Sequence, residues 1–160
     1  MEHEYELEFD EFFASTYPAI VRTAALVVGD WEVARELAQD AFVKALLHWK
    51  RVRTYDHPQA WVRTIAFRMA LRAKAREPER GGLLEPAVFD ATPDLDVLRA
   101  IAQLPRMQRA AVALHYLDDL PVDDVAATLG CAPSTARVHL HRGRERIADL
   151  LREEHDDAAR

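Results

Sequence analysis

The stretch Asp124–Glu145, DVAATLGCAPSTARVHLHRGRE, decides the fold of this chain. Its first part predicts a short helix, because Val125, Ala126 and Leu129 fall on one apolar face. Gly130 follows that helix and permits the positive φ that ends it. The stretch therefore begins as a helix closed by a tight turn.

A second, cationic helix is predicted after this turn. Ser134 or Thr135 is expected to cap it, with Pro133 just ahead. Its outward side chains are Arg137, His139, His141, Arg142 and Arg144. Helix, glycine turn and cationic helix together indicate a helix-turn-helix, which places its second helix in the DNA major groove. The alternative is an ordinary helical hairpin with a solvated arginine face.

The net charge of −6 argues against simple coating of DNA, but the charges are segregated. Residues 1–40 hold two basic and ten acidic side chains, whereas residues 41–80 hold ten basic and three acidic. Residues 81–130 are acidic again, and residues 131–160 are balanced, with the bases first. This alternation favours two separate nucleic-acid contacts, and random clustering on a charged surface is the alternative.

Composition excludes several classes of protein. No apolar run approaches the roughly 18 residues of a membrane span, and the acidic N-terminus does not resemble a signal peptide. We therefore expect no membrane insertion. Cys131 is the single cysteine of the 160 residues, so no internal disulfide forms, which fits a cytoplasmic location.

The periodicity is helical throughout and predicts an all-α fold. In the first half, helices are expected over residues 7–28, from Asp30 to about residue 49, and from Pro58 onward, with Pro18 bending or ending the first. The predicted buried face of the second helix is Ala34, Leu37, Ala38, Ala41, Phe42, Ala45, Leu46 and Trp49. The predicted core stripe of the third is Trp61, Ile65, Ala66 and Met69.

Periodicity stops where glycines and prolines accumulate, around residues 76–93. We predict two small helical domains joined by a flexible linker. The first covers residues 1–76, the linker 77–93, and the second, which contains the helix-turn-helix, 94–152. A polar tail, 153–160, is expected to fray.

The second helix carries an unusual outward stripe. It combines acids with exposed aliphatics: Glu36, Gln39, Asp40, Val43 and Leu47. Such a stripe favours docking on a partner helix, with the charges setting register and the aliphatics supplying area. A solvated surface with two stray apolar residues is the alternative.

The third helix and the loop before it interleave cations with aromatics. The cations include Lys50, Arg51, Arg53, Arg63 and Arg68, and the aromatics are Trp49, Tyr55, His57, Trp61 and Phe67. Cations follow phosphates and rings hold unstacked bases, so single-stranded DNA fits this zone. The alternative places both tryptophans in the core and uses Tyr55 as a loop anchor.

Metal-binding and catalytic chemistry have little support. His139 and His141 face different directions on a helix and have no Cys or acidic partner at ligand spacing. Cys131 is predicted to be a small buried side chain that fills space in the core. No phosphate loop, nucleophile elbow or carboxylate pair is present, so we expect neither an enzyme nor a cofactor.

At this point the chain resembles a bacterial extracytoplasmic-function (ECF) sigma factor of the two-domain kind. The first half carries that family's pattern at Gly29-Asp30, Gln39-Asp40-Ala41-Phe42 and Trp61-Val62-Arg63-Thr64-Ile65-Ala66. The second half carries it at Leu104-Pro105, Arg109, Leu129-Gly130, Ser134-Thr135 and Leu140-His141-Arg142-Gly143-Arg144. The resemblance spans about residues 7–152, with both halves in the family's order.

The resemblance implies a dissociable RNA polymerase subunit that selects promoters. The stripe Glu36, Gln39, Asp40, Val43 and Leu47 would bind the β′ clamp helices. Lys50, Arg51, Arg53, Tyr55, Arg63 and Arg68 would melt and hold the −10 element. Ser134, Thr135, Arg137, Val138, His141, Arg142 and Arg144 would read the −35 element, with the polymerase β flap as a further contact and an anti-sigma factor as the usual control.

Two departures from the family pattern affect promoter choice. Arg68 stands where many members have Asn, and Arg137-Val138-His139 replaces the common Lys-Ser-Arg, which implies a different −35 preference. Two other functions compete with this reading. A stand-alone helix-turn-helix regulator would need a dimer surface, and a sigma mimic that titrates an anti-sigma factor would lose its DNA-reading cations.

Overall fold

A computed structural model describes residues 2–73 and 95–160, and every regular element in these two ranges is helical. The first bundle consists of α1 (Glu2–Val28), α2 (Trp31–Leu47), the single turn α3 (Trp49–Val52) and α4 (Pro58–Arg72). The predicted linker, residues 77–93, lies outside the described residues.

Helix α1 passes through Pro18 without ending, so the expected bend or stop is not a boundary. A proline inside a helix costs about 3 kcal/mol because it removes a hydrogen bond and crowds the preceding turn. Burial offsets this cost, since most of the helix from Ile20 to Val28 is shielded from solvent. Tertiary packing therefore overrides the local preference.

The turn between α1 and α2 confirms its sequence signals. Gly29 has a φ of 74°, which an L side chain rarely adopts. Asp30 caps α2 by accepting hydrogen bonds from the backbone N–H of Glu32 at 2.9 Å and of Val33 at 3.1 Å. These bonds satisfy donors that the first helical turn leaves open.

An aromatic cluster joins α1 to the end of α2. The rings of Phe9 and Phe12 lie 5.2 and 5.0 Å from the Trp49 ring, and Phe13 meets Phe42 edge-on at 4.9 Å. Trp49 is buried, which supports its reading as a core residue. Leu46, in contrast, was expected in the core and is 52% exposed. That prediction was wrong because Leu46 falls outside the arc of α2 that Ala38, Ala41, Phe42 and Ala45 bury.

The buried stripe of α4 is rotated from the predicted one. Val62, Ala66, Phe67 and Ala70 are fully buried, whereas Trp61, Ile65 and Met69 are half-buried. The spacing of apolar residues shows which side of α4 is buried, but it does not show which residues on that side are buried most deeply. The centre shifts here because α4 packs against α1 and α2 and also against a helix of the second bundle.

The second bundle begins with α5 (Leu95–Ala102) and α6 (Arg106–Val112), which continues as a π-helical turn, Ala113–Leu117. Helix α7 (Val122–Leu129) and helix α8 (Pro133–Ala158) then form the predicted helix-turn-helix. Gly130 lies between them with a φ of 71°, as its position in the sequence predicted.

Helix α8 differs from expectation at both ends. It starts at Pro133, and the N-cap position is Ala132 rather than Ser134 or Thr135. Proline suits the first helical position because it needs no N–H partner there. At the other end the helix continues through the predicted fraying tail to Ala158. Arg146 pairs with Glu153 at 3.7 Å and supports these last turns.

Gly143 lies where α8 crosses α6, and its lack of a side chain permits that contact. A Cβ at this position would lie 2.7 Å from Val112 Cγ2. We expect Gly143→Ala to lower the free energy of unfolding by about 1–3 kcal/mol through overpacking, despite the better helix propensity of alanine. Urea denaturation followed by circular dichroism measures this.

Gly130→Ala is the control for the Gly143 variant, because a Cβ at residue 130 meets nothing within 4 Å. Its cost comes from the left-handed backbone alone and is roughly 1 kcal/mol. A Gly143→Ala protein at least as stable as the wild type would show that α6 and α8 separate easily.

Candidate nucleic-acid and polymerase interfaces

The outward face of α8 carries the whole predicted −35 set. Ser134, Thr135, Arg137, Val138, His141, Arg142 and Arg144 are all exposed. The opposite face, with Ala136, Leu140 and Gly143, is buried against the bundle. Since one face fixes the helix and the other is free, these side chains can enter a groove together.

Two members of this set already have partners within the protein. Arg144 donates a hydrogen bond to the Tyr116 hydroxyl at 2.9 Å, and His141 lies 3.2 Å from Glu145. Val138 is 45% exposed, so its methyl groups are free to contact a thymine methyl.

The predicted −10 residues divide into two groups. Lys50, Arg51 and Tyr55 are exposed on and after α3, where a strand can reach them. Arg53 instead points at α1: its guanidinium lies 2.7 Å from Glu8 and stacks 4.7 Å from the Tyr5 ring centre. The hydrogen bond to Glu8 raises the pKa of Arg53. Arg53 thereby holds the loop after α3 against α1.

The remaining −10 cations, Arg63 and Arg68, face the second bundle. Arg63 lies 3.6 Å from the Asp118 carboxylate, and Arg68 donates to the carbonyl oxygen of Ala127 at 3.4 Å. The structure therefore does not bring the six predicted −10 residues onto one open surface. Nothing in the sequence marks these contacts, because Asp118 lies 55 residues from Arg63 and because every residue offers a backbone carbonyl such as that of Ala127.

The outward stripe of α2 is exposed as predicted. Glu36, Gln39 and Asp40 are open to solvent, and Val43 and Leu47 are 55% and 75% exposed. Leu46, misplaced in the predicted core, adds a third exposed aliphatic side chain beside them. A run of exposed aliphatics next to acids is typical of a protein-binding surface.

Other kinds of site find no support in the described ranges. Residues 2–73 and 95–160 contain no group of His, Cys, Asp and Glu side chains placed to hold a metal ion. Cys131 is a free thiol and is half-buried. None of the helices described has both the length and the apolar character that crossing a membrane requires.

Comparison with known proteins agrees with this geometry. Residues 12–78 match the family model "Sigma-70 region 2", and residues 94–147 match "Sigma-70, region 4". The chain is 30% identical over 151 residues to the ECF RNA polymerase sigma factor SigM of Mycobacterium tuberculosis, covering 89% of this chain and 76% of that protein. It is 29% identical over 163 residues to the sigma factor CarQ of Myxococcus xanthus, covering 95% and 94%.

A solved structure agrees over nearly the whole chain. The sigma factor RpoE of Bartonella quintana, crystallised in complex with the anti-sigma factor NepR, superimposes with a TM-score of 0.68 and 25% identity, covering 91% of this chain and 97% of that one. The helix-turn-helix and the two matched regions define a sigma factor of RNA polymerase. The chain belongs to the ECF sigma factors, and as such it is a non-enzymatic subunit that directs polymerase to promoters.

Proposed function

We propose how the work of a sigma factor is divided among the described helices. The α2 stripe with Leu46 binds the polymerase core, the cations on and around α3 and α4 hold the melted −10 strand, and the outer face of α8 reads the −35 element. In this proposal residues 1–76 form the first unit, 94–152 the second, and 77–93 connect them.

One observation carries the proposal. Three sets of exposed side chains lie on three separate elements, and each suits one partner. The aliphatic and acidic side chains of α2 suit a protein surface, and the cations of α3 with Tyr55 suit a single DNA strand. The cationic outer face of α8 suits the groove of a duplex. The chain would act in the cytoplasm, where polymerase resides. Because the similar RpoE is bound to an anti-sigma factor, we include a dissociable anti-sigma partner in the proposal.

Run-off transcription with added core polymerase on a library of genomic promoter fragments tests the proposal. We expect transcripts that depend on both the chain and the core. A stand-alone regulator would instead bind promoter fragments without core, and a sigma mimic would bind an anti-sigma factor but start no transcript.

The −35 assignment predicts different outcomes for base and phosphate contacts. Arg137→Ala and Arg142→Ala should each reduce transcription. A bidentate arginine–guanine pair discriminates between bases by about 1–3 kcal/mol, whereas a phosphate contact weakens all sequences alike. Transcription of a randomised −35 library by each variant therefore separates the two roles.

Arg146→Ala is the matched control for these variants, because Arg146 is exposed on the same helix but belongs to the Glu153 ion pair. It should leave output and preference unchanged. If Arg137→Ala and Arg142→Ala also change neither, α8 does not read the −35 element.

A further inference from the structure

The hydroxyl of Tyr116 joins the outward face of α8 to the segment that follows α6. Tyr116 is 47% exposed, and its phenol oxygen accepts a hydrogen bond of 2.9 Å from Nη1 of Arg144. The two residues lie 28 positions apart in the chain, so the fold, rather than the local sequence, brings them together. Arg144 is also exposed. The two side chains are therefore joined to each other on a surface that a ligand can reach.

The π-helical turn Ala113–Leu117 determines where the Tyr116 ring lies. The bond that closes this turn runs from the backbone N–H of Asp118 to the first carbonyl of the turn, at 3.3 Å. The Nδ1–H of His115 donates to the carbonyl of Leu120 at 2.7 Å, and the centre of its ring lies 4.7 Å from that of Tyr116, edge-on. Turns of this kind are rare and are frequent at functional sites. The turn and the histidine together hold the Tyr116 hydroxyl beside α8.

Arg144 lies at the border of the outward face of α8. It follows the buried Leu140 by one helical turn and comes directly after the buried Gly143. It lies about 16 Å along the helix from Pro133, whereas base edges are contacted by the first residues of a recognition helix. The next residue, Glu145, is exposed, and its carboxylate is repelled by DNA phosphates. Arg144 is therefore placed at the rim of a groove, where the DNA backbone runs.

We propose that Arg144 binds a backbone phosphate at the edge of the −35 element and that Tyr116 positions its guanidinium for this contact. The inference rests on the proposed role of α8 and assigns one member of its cationic set to phosphate binding. An arginine presents its N–H donors in a rigid fork that matches two oxygens of a phosphate. The bond to Tyr116 uses Nη1 and leaves donors on the other nitrogens for the DNA. Arg144 thus adds affinity without sequence preference.

Tyr116 increases the affinity by restricting the arginine before DNA arrives. A free arginine side chain loses rotamer freedom when it binds, and a side chain already held in place loses less. The phenol is uncharged at neutral pH, so it adds nothing to the salt-sensitive attraction between the protein and DNA. Arg144 therefore supplies the charge of the contact, and Tyr116 supplies its geometry.

Binding of the full chain to a random-sequence duplex tests the contact apart from promoter recognition. The probe is a fluorescent duplex of about 20 base pairs, or two helical turns, and its anisotropy is followed at low salt. We expect Tyr116→Phe to weaken binding about fivefold and Arg144→Ala about tenfold. The double variant should bind no more weakly than Arg144→Ala, because the hydroxyl acts only through the guanidinium.

The salt dependence of the same titrations separates charge from geometry. Arg144→Ala should lower the slope of log affinity against log salt by about 0.9, the value of one phosphate contact, and Tyr116→Phe should leave the slope unchanged. Arg146→Ala removes a cation of the same helix that pairs with Glu153, and Tyr17→Phe removes a hydroxyl from the aromatic cluster of the first bundle. Both controls should bind the duplex as the wild type does, and circular dichroism checks that every variant keeps its helices.

Transcription of the randomised −35 library with core polymerase completes the test. Arg144→Ala should reduce output for all sequences alike and leave the preference unchanged. A relaxed preference at one position would make Arg144 a base reader and overturn the inference. Independent losses in the double variant, or a wild-type chain that does not bind the duplex, would also overturn it. The expected duplex results from a chain that starts no transcript would refute the proposed function alone.

Discussion

The double variant Asp40→Arg/Leu47→Glu is expected to bind core polymerase at least about 100-fold more weakly than the wild type. Interface hot spots contribute about 2 kcal/mol or more each, and every 1.4 kcal/mol is about a factor of ten. Leu47 is 75% exposed, so its replacement perturbs no core, and the helix content should not change. Titration of fluorescent chain with core polymerase gives the dissociation constant.

Helix α1 supplies a matched control for this variant. Leu7 is 54% exposed and Glu11 is exposed one turn later, so Leu7→Glu/Glu11→Arg makes the same kinds of change outside the α2 stripe. This control should bind core normally. Wild-type affinity in the α2 variant, or an equal loss in both, would show that the stripe is only solvated surface.

The second large effect is expected at α3. Lys50→Glu/Arg51→Glu reverses two exposed charges and should abolish most open-complex formation. Each phosphate contact to a single strand contributes about 0.7 to the slope of log affinity against log salt, so losing two should flatten that slope by about 1.4. Permanganate reactivity of promoter thymines, measured over a range of salt concentrations, reports both effects.

Arg35→Glu on α2 is the control for general electrostatics, because Arg35 is an exposed cation of the same bundle that belongs neither to α3 nor to the five residues of the α2 stripe. It should retain permanganate reactivity. Full reactivity in the Lys50/Arg51 variant would remove α3 from strand capture and leave the loop after it as the next candidate.

Sequence patterns predicted the features that depend on neighbouring residues. Gly130 and Asp30 mark their helix ends because positive φ and N-capping are local requirements. The buried and exposed faces of α8 followed largely from spacing, although His139, predicted to point outward, is half-buried. The exposed stripe of α2 was predicted for the same reason.

The predictions failed where packing between distant segments decides. Leu46 was placed in the core but lies outside the buried arc of α2, whereas Trp49, after the end of that helix, is buried. The stripe of α4 was misplaced because the second bundle covers part of that helix. The partners of Arg63 and Arg68 could not be predicted. One is a carboxylate 55 residues away and the other is a backbone carbonyl, and neither produces a recognisable pattern in the sequence.

Helix α8 also separates charge along its length. Its cations cluster in the first half, and its last turns carry Asp149, Glu153, Glu154, Asp156 and Asp157. Because one helix of 26 residues carries both groups, Arg137 and Asp157 at their outer ends are held about 30 Å apart. The phosphates of DNA attract the first end and repel the other, so the field turns the molecule before contact is made. In the proposed −35 role, this separation would bring a protein of net charge −6 to the duplex with its cationic end in front.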